Sequence, residues 1–213
     1  MVEFGVGDGR SCNCRLLAEV LGWEGRFWEY DDSEFDKLQQ RYSHFSKVQC
    51  GQEIMSSENI NSIFEKYRVP HRFGVLSMDV DGQDFWIWKA LDNAYQPDVI
   101  VMEFNSALDQ HQALVEEEGL EVGLPLGKTW GASLKAMLQL GNEKGYRLVH
   151  IDMAGVNLFF VREQTIIDNN LNIKGIISDR SPNYGLRGQN HPDTVLYNDQ
   201  PKVDRPQKII SEH

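Results

Sequence analysis

The sequence predicts an α/β fold: a mostly parallel, seven-stranded sheet with helices on both faces and an antiparallel hairpin strand near its C-terminal end. Three observations carry this. Strand-like and helix-like segments alternate over the first 160 residues. Two of the strands, FGVLSMD and DVIVMEF, are nearly continuous apolar runs, the pattern of strands covered on both faces. YRLVHID and NLFFVRE are separated by too few residues for a parallel crossover, so they pair antiparallel.

The elements follow in order. Residues 2–5 form a short apolar strand. Ser11 is placed to cap a helix with Leu16, Leu17, Val20 and Leu21 on its buried face and Gly22 beyond its end. Arg26–Tyr30 reads as a second strand, 33–41 as a polar helix, and Phe45–Val48 as a weak third strand. In SSENINSIFEKYRVP, Ser57 is a cap, Ile60, Ile63, Phe64 and Tyr67 share one helical face, and Pro70 ends the run. Strand 73–79, the short helix DFWIWKAL and strand 98–104 come next. Residues 105–130 form a long connection with an acidic run, Glu116–Glu118, and a Gly/Pro-rich part. Connections of that length are commonly functional, so this one is the expected substrate loop, with Trp130 near its end. ASLKAMLQLGNEK is a helix followed by Gly145. Residues 1–163 make one domain; 164–213 read as an extended polar tail, with four of the seven prolines in its last 35 residues.

Composition narrows the function. The chain has 213 residues, 41% hydrophobic and 25% charged, and a formal charge of −11. An acidic chain without Lys/Arg clusters is not built to grip nucleic-acid phosphates. No apolar run is long enough to span a bilayer, and the opening MVEFGVG reads as core strand rather than as a leader. Cys12, Cys14 and Cys50 are too few and too irregular for a disulfide framework; they read as reduced thiols in a cytoplasmic protein.

In an open α/β sheet, ligands bind beyond the carboxyl ends of the strands. After the first strand stands Glu3-x-Gly5-x-Gly7-Asp8-Gly9. The dinucleotide fingerprint needs a third glycine at position 10, which is Arg. The spacing instead suits a ligand that needs bare backbone close to its ribose and amino-acid parts, with a carboxylate, Glu3, near an ammonium group. Glu29 ends the second strand 20 residues beyond Gly9, where an acid accepts ribose hydroxyls; Asp31 is the alternative if the strand runs longer. Glu3, Gly5, Gly7, Asp8, Gly9, Asn13, Glu29 and Asp31 are thus the candidate residues for an adenosyl cofactor.

The ends of the fourth and fifth strands carry Asp79, Asp81 and Asp84, then Glu103 and Asn105. If those strands flank the first, Asp79, Asp81, Glu103 and Asn105 converge beside the glycine loop as candidate catalytic residues. A carboxylate there can act as general base. Asp79, Glu103 and Asn105 can also supply oxygen ligands to Mg²⁺ or Ca²⁺. Asp79-Val-Asp81 admits a rival, a metal-dependent glycosyltransferase-like enzyme; a non-catalytic binding module on a degenerate fold is the other alternative. An EF-hand fails, because loop position 12 counted from Asp79 is Ala90. GLPLGKT, with Lys128, is one residue short of a P-loop.

Taken in order, VEFGVGDG…CN, GWEGRFWEYDD, VLSMDVDGQDFWIWKAL, VIVMEFN and GASLKAMLQLGNEKGYRLVHIDMAGVNLFFVR resemble the FkbM-like branch of the class I S-adenosylmethionine-dependent methyltransferases. The resemblance covers about residues 1–163. It implies a Rossmann-like seven-stranded sheet with its last strand antiparallel, the Gly5–Gly9 loop for the methionine part of S-adenosylmethionine, and Glu29 for its ribose. It also implies methylation of hydroxyl groups on small molecules or sugars. Where that family usually has Ile-Glu at the end of the second strand, this sequence has Trp28-Glu29.

Overall fold

The structure is a computed structural model that describes residues 1–120, 130–173 and 207–210. Seven strands form one sheet: β1 (Val2–Phe4), β2 (Gly25–Glu29), β3 (Val48–Gln52), β4 (Arg72–Met78), β5 (Gln96–Glu103), β7 (Tyr146–Ile151) and β8 (Asn157–Arg162). Their order is β3-β2-β1-β4-β5-β8-β7. All pairings are parallel except those of β8, which runs antiparallel to both β5 and β7. The expected adjacency of the first, fourth and fifth strands is present. The strand order reverses between β1 and β4, which opens a crevice at their carboxyl ends.

Helices α1 (Arg15–Glu19) and α2 (Asp32–Tyr42) pack on one face of the sheet; α3 (Ile60–Lys66), α4 (Asp84–Ala90) and α5 (Leu134–Glu143) pack on the other. Alternation along β2 shows how the sequence builds two cores. Phe27 points to the first face, against Leu38 and Tyr42, and Trp28 to the second, against Phe64. Both rings are fully buried, which stabilises the fold by about 1.5–3 kcal/mol for a large apolar side chain.

Several elements differ from expectation. Helix α1 is only five residues long and starts after Cys14, with no side-chain cap, so Ser11 does not cap it. The stripe Leu16, Val20, Leu21 is 57–70% exposed; Cys14 and Ala18 face the sheet instead. The helix ends before the stripe completes a second turn. The third strand lies at 48–52 rather than 45–48, because Phe45 and Val48 are held by turn hydrogen bonds to Tyr42 and Phe45. Asn59, not Ser57, precedes α3.

Three further elements have no counterpart in the sequence reading. A strand β6 (Leu114–Glu116) lies inside the long connection and pairs antiparallel with β9 (Gln207–Ile209) near the chain end. A helix α6 (Glu163–Asp168) occupies the start of what reads as tail. The near-P-loop, with Lys128, lies outside the described residues. Among the described residues, no helix is long and apolar enough to cross a membrane.

Candidate functional site

The glycine loop follows from where β1 ends. Glu3 points to the α1 side of the sheet and is 2% exposed. Its Oε1 accepts the Asn13 N–H at 2.7 Å and the Ser77 hydroxyl at 3.1 Å, and its Oε2 accepts the Cys14 N–H at 2.8 Å. Glu3 therefore anchors the start of α1 from beneath the glycine loop. Burial raises its pKa, and the Cys14 and Asn13 N–H groups oppose the rise. The Asn13 side chain donates to Ser77 Oγ at 3.1 Å, bracing the loop against β4.

Three glycines take positive φ: Gly5 at 75°, Gly7 at 55° and Gly9 at 77°. Their reasons differ. At Gly5 a Cβ would stand 1.6 Å from the Asp79 carbonyl oxygen, so the loop closes backbone to backbone on the end of β4. At Gly9 it would meet Tyr42 and Leu38 of α2 at 2.8 and 2.9 Å. At Gly7 it would meet nothing within 4 Å. Gly7 is thus the place where bare main chain faces open space. Asp8 forms an ion pair with Arg10 at 3.1 Å and accepts the Arg10 N–H at 2.9 Å.

Glu29, at the end of β2, is 5% exposed. Its Oε2 accepts the Gly7 N–H at 2.7 Å, and its Oε1 accepts the N–H groups of Tyr30 and Asp31 at 2.8 and 2.9 Å. A carboxylate offers about four acceptor positions. Three N–H groups donate to it, two to Oε1 and one to Oε2, so Oε2 carries the fewer bonds. Asp31 is the N-cap of α2: its Oδ1 accepts the Ser33 and Glu34 N–H groups at 2.9 and 3.0 Å. The Ser33 hydroxyl, which donates to Oδ1 at 2.8 Å, and after it those N–H groups hold its pKa below the ordinary carboxylate value.

At the ends of β4 and β5, Asp79, Asp81 and Glu103 bring one carboxylate oxygen each to within 4.8 Å of one another. Asp81 is exposed and has φ 55°, a left-handed backbone that costs about 1–2 kcal/mol outside glycine. Asp84 holds this turn from beneath, accepting the Val80 and Gly82 N–H groups, both at 3.2 Å. Its complete burial pushes its carboxyl up to about 7. Tyr30, at the rim, has its phenol pKa raised by burial first and then by the negative charge of Asp81, Glu29 and Asp31.

Asn105 is fully buried; its Nδ2 donates to the Trp130 carbonyl at 3.0 Å, and its Oδ1 accepts the Ala107 N–H at 2.9 Å, so it ties the end of β5 to the segment after the long connection. Among the carboxylates, the donor set that would suit Mg²⁺ or Ca²⁺ is Asp79, Asp81 and Glu103, which adds Asp81 to the expected Asp79 and Glu103. The sequence reading also missed Gln83 and Glu116, both buried beside Gly82. Glu116 opens an acidic run whose next two members are exposed, so nothing in its composition sets it apart.

The thiols are free. Burial pushes Cys12 up to about 12 and Cys50 up to about 11, and it raises Cys14 as well, so none of the three is a ready nucleophile. A cavity of about 520 Å³ lies at the opposite pole of the sheet, between Arg72, Trp88, Tyr95, Lys144 and Tyr146, and touches none of the expected residues.

No family model matches the chain, and no characterised protein matches it by sequence. Solved structures resemble its backbone. The glycopeptide N-methyltransferase MtfA, complexed with S-adenosyl-L-methionine, is 14% identical, with 76% of this chain and 86% of that one covered, at a TM-score of 0.44. The CcbJ methyltransferase from Streptomyces caelestis is 18% identical, with 76% and 87% covered, at 0.42. An S-adenosylmethionine-dependent methyltransferase from Clostridium acetobutylicum ATCC 824 is 9% identical, with 76% and 82% covered, at 0.46.

The fold is Rossmann-like, of the class I methyltransferase type. Strand order and the reversed β8 define it. The crevice between β1 and β4 is where such a sheet presents its loops to a ligand.

Proposed function

We propose that this chain is an S-adenosylmethionine-dependent methyltransferase of the FkbM-like branch, acting on a hydroxyl group of a small molecule or sugar. One observation carries the reading: a side chain at Gly7 would meet nothing within 4 Å, so bare backbone faces open space there, and the Gly7 N–H is held by Glu29 Oε2 at 2.7 Å. The residues fit an adenosyl group there. The turn offers unobstructed main chain, and Glu29 retains capacity for one ribose hydroxyl. S-adenosylmethionine, when bound, supplies an electrophilic methyl group on a sulfonium.

The chain supplies the rest. Asp79, Asp81 and Glu103 cluster beside the glycine loop, whose Gly5 closes on the Asp79 carbonyl. Asp81, the exposed member, or Glu103 accepts the proton of the acceptor hydroxyl as the oxygen forms its bond to carbon. The balance is one O–H bond broken, one C–O bond formed, one C–S bond broken and one proton on a carboxylate. The same three carboxylates would hold a divalent ion if one binds, and a metal would then polarise the hydroxyl.

Calorimetry with S-adenosylhomocysteine and, separately, with nucleotide diphosphates tests the reading. Binding of the former alone is the expected result. Binding of nucleotide diphosphates alone would favour the glycosyltransferase-like alternative at Asp79 and Asp81. Transfer of label from methyl-labelled cofactor into a polar small-molecule extract then identifies the acceptor.

A further inference from the structure

Gln83 and Glu116 have no part in the chemistry above, yet they are 7% and 0% exposed. The Gln83 Nε2 donates to Glu116 Oε1 at 2.7 Å and to the Glu117 carbonyl at 3.1 Å, while its Oε1 accepts the Gly119 N–H at 2.9 Å. Glu116 Oε2 accepts the Gly131 N–H at 3.0 Å, and the Glu116 carbonyl accepts from Trp86 Nε1 at 2.9 Å. Gly82 lies against the same carboxylate: a Cβ there would stand 2.3 Å from Glu116 Oε1. Three segments therefore meet at Glu116. They are the turn after β4, β6 with residues 117–119, and residues 130–132.

These segments surround the acid cluster. Asp81 immediately precedes Gly82. Asn105, two residues after Glu103, is bonded to the Trp130 and Ala132 carbonyls. Apolar side chains would pack these segments as tightly, but they would not fix their register. Directional bonds between buried polar groups do, and each group left unsatisfied costs about 1–3 kcal/mol. The left-handed Asp81 needs such fixing: Asp84 holds its turn from one side and Glu116 closes on Gly82 from the other.

We infer that Gln83 and Glu116 are positioning residues, a polar clamp that sets the turn 80–82 so that the Asp81 carboxylate stands with those of Asp79 and Glu103. The inference rests on the methyl-transfer reading of this site. Neither residue touches acceptor or cofactor; both act through the placement of Asp81.

The test uses the full chain with Glu116→Gln, Gln83→Glu and the two combined. In Glu116→Gln an NH₂ group must face either Gln83 Nε2 or the Gly131 N–H, both donors. Gln83→Glu sets carboxylate against carboxylate. The combination restores complementarity between positions 83 and 116. The new carboxylate at 83 accepts from Gly119 and from the new amide at 116, whose oxygen accepts from Gly131; the bond to the Glu117 carbonyl is lost and two acceptor oxygens face each other there.

The readouts are S-adenosylhomocysteine affinity, thermal unfolding, and label transfer from S-adenosylmethionine into a polar small-molecule extract well below the unfolding temperature. We expect cofactor affinity to hold in all variants. Transfer falls about a hundredfold in each single variant, the scale of an ångström's misplacement of reacting groups, and largely returns in the combination. Single variants that transfer label at the wild-type rate would overturn the inference alone. So would a combination that regains thermal stability but not transfer. Wild-type protein that binds no S-adenosylhomocysteine, or binds it and transfers no label, overturns the methyl-transfer reading and this inference with it.

Discussion

At Gly7 the missing side chain faces open space, whereas at Gly5 a methyl group would stand 1.6 Å from the Asp79 carbonyl. The two glycines therefore fail differently. Gly7→Ala costs the fold about 1–2 kcal/mol for its left-handed backbone and leaves the packing intact, while the new methyl group obstructs the crevice. A folded variant with S-adenosylhomocysteine binding lost, seen by circular dichroism and calorimetry, is the expected result. Gly5→Ala should instead yield a much less stable protein, because backbone has to move. Asp84 offers a second residue-level prediction. Its folded pKa, about 7, lies above the ordinary 3.8. Its contribution to stability is thus full below 3.8 and is lost as pH rises through about 7. Between those values the folded state holds one proton more, so stability falls by about 1.4 kcal/mol per pH unit on this account. Asp84→Asn removes an acceptor and lowers stability at every pH, but it also removes that slope. Urea titrations at pH 5 and pH 8 should show the gap between wild type and variant shrinking at the higher pH. A constant gap would refute the assignment.

Elements show where sequence reasoning reached and where it stopped. Helix α2 begins at the Asp31 cap and carries Asp32 and Glu34 in its first turn, where they favour the positive end of the dipole. Asp31→Ala should cost about 1 kcal/mol of stability for the lost cap. If capping is the whole role of Asp31, S-adenosylhomocysteine affinity stays at the wild-type value; a weakened affinity would restore Asp31 as a cofactor residue. The large parallel strands were legible because β4 and β5 are covered on both faces and so read as apolar runs. Their adjacency to β1, and with it the convergence of Asp79, Asp81 and Glu103, followed from that reading. Helix α1 was legible in place but not in orientation, since a five-residue helix ends before its apolar stripe selects a face. The pairing of β6 with β9 was not legible at all. Three residues carry no periodicity, and the partner lies some ninety positions along the chain. Gln83 and Glu116 stayed hidden for the same reason: a buried acid declares itself only once the strand that buries it is known.

On the scale of the whole molecule, the chain returns near its end to support the region around the site. Backbone pairs Leu114–Ile209, Val115–Lys208 and Glu116–Gln207 join β6 to β9, and the Ile210 N–H donates to the Ala113 carbonyl at 2.8 Å. On its other side β6 reaches residues 130–133 through a bridge from Val115 to Ala132 and through Ser133, whose hydroxyl accepts the Leu114 N–H and donates to the Gln112 carbonyl. Strand β6 is thus held from two directions, and Glu116 sits at its end beside Gly82. Ending the chain before Gln207 removes one of the two supports and leaves the seven-stranded sheet whole. The cost should be local, about 1–3 kcal/mol for the lost backbone bonds and the lost packing of Ile210 against the core. Hydrogen exchange should therefore quicken at residues 113–116 and at Gly131, while β1, β4 and β5 keep wild-type protection. Under the proposed function, which assigns the cofactor to the Gly7 turn and Glu29, affinity for it should be preserved as label transfer declines. Uniform loss of protection across the sheet would mean that β9 supports the whole fold, and the separation drawn here between a rigid cofactor crevice and a separately braced acid cluster would be wrong.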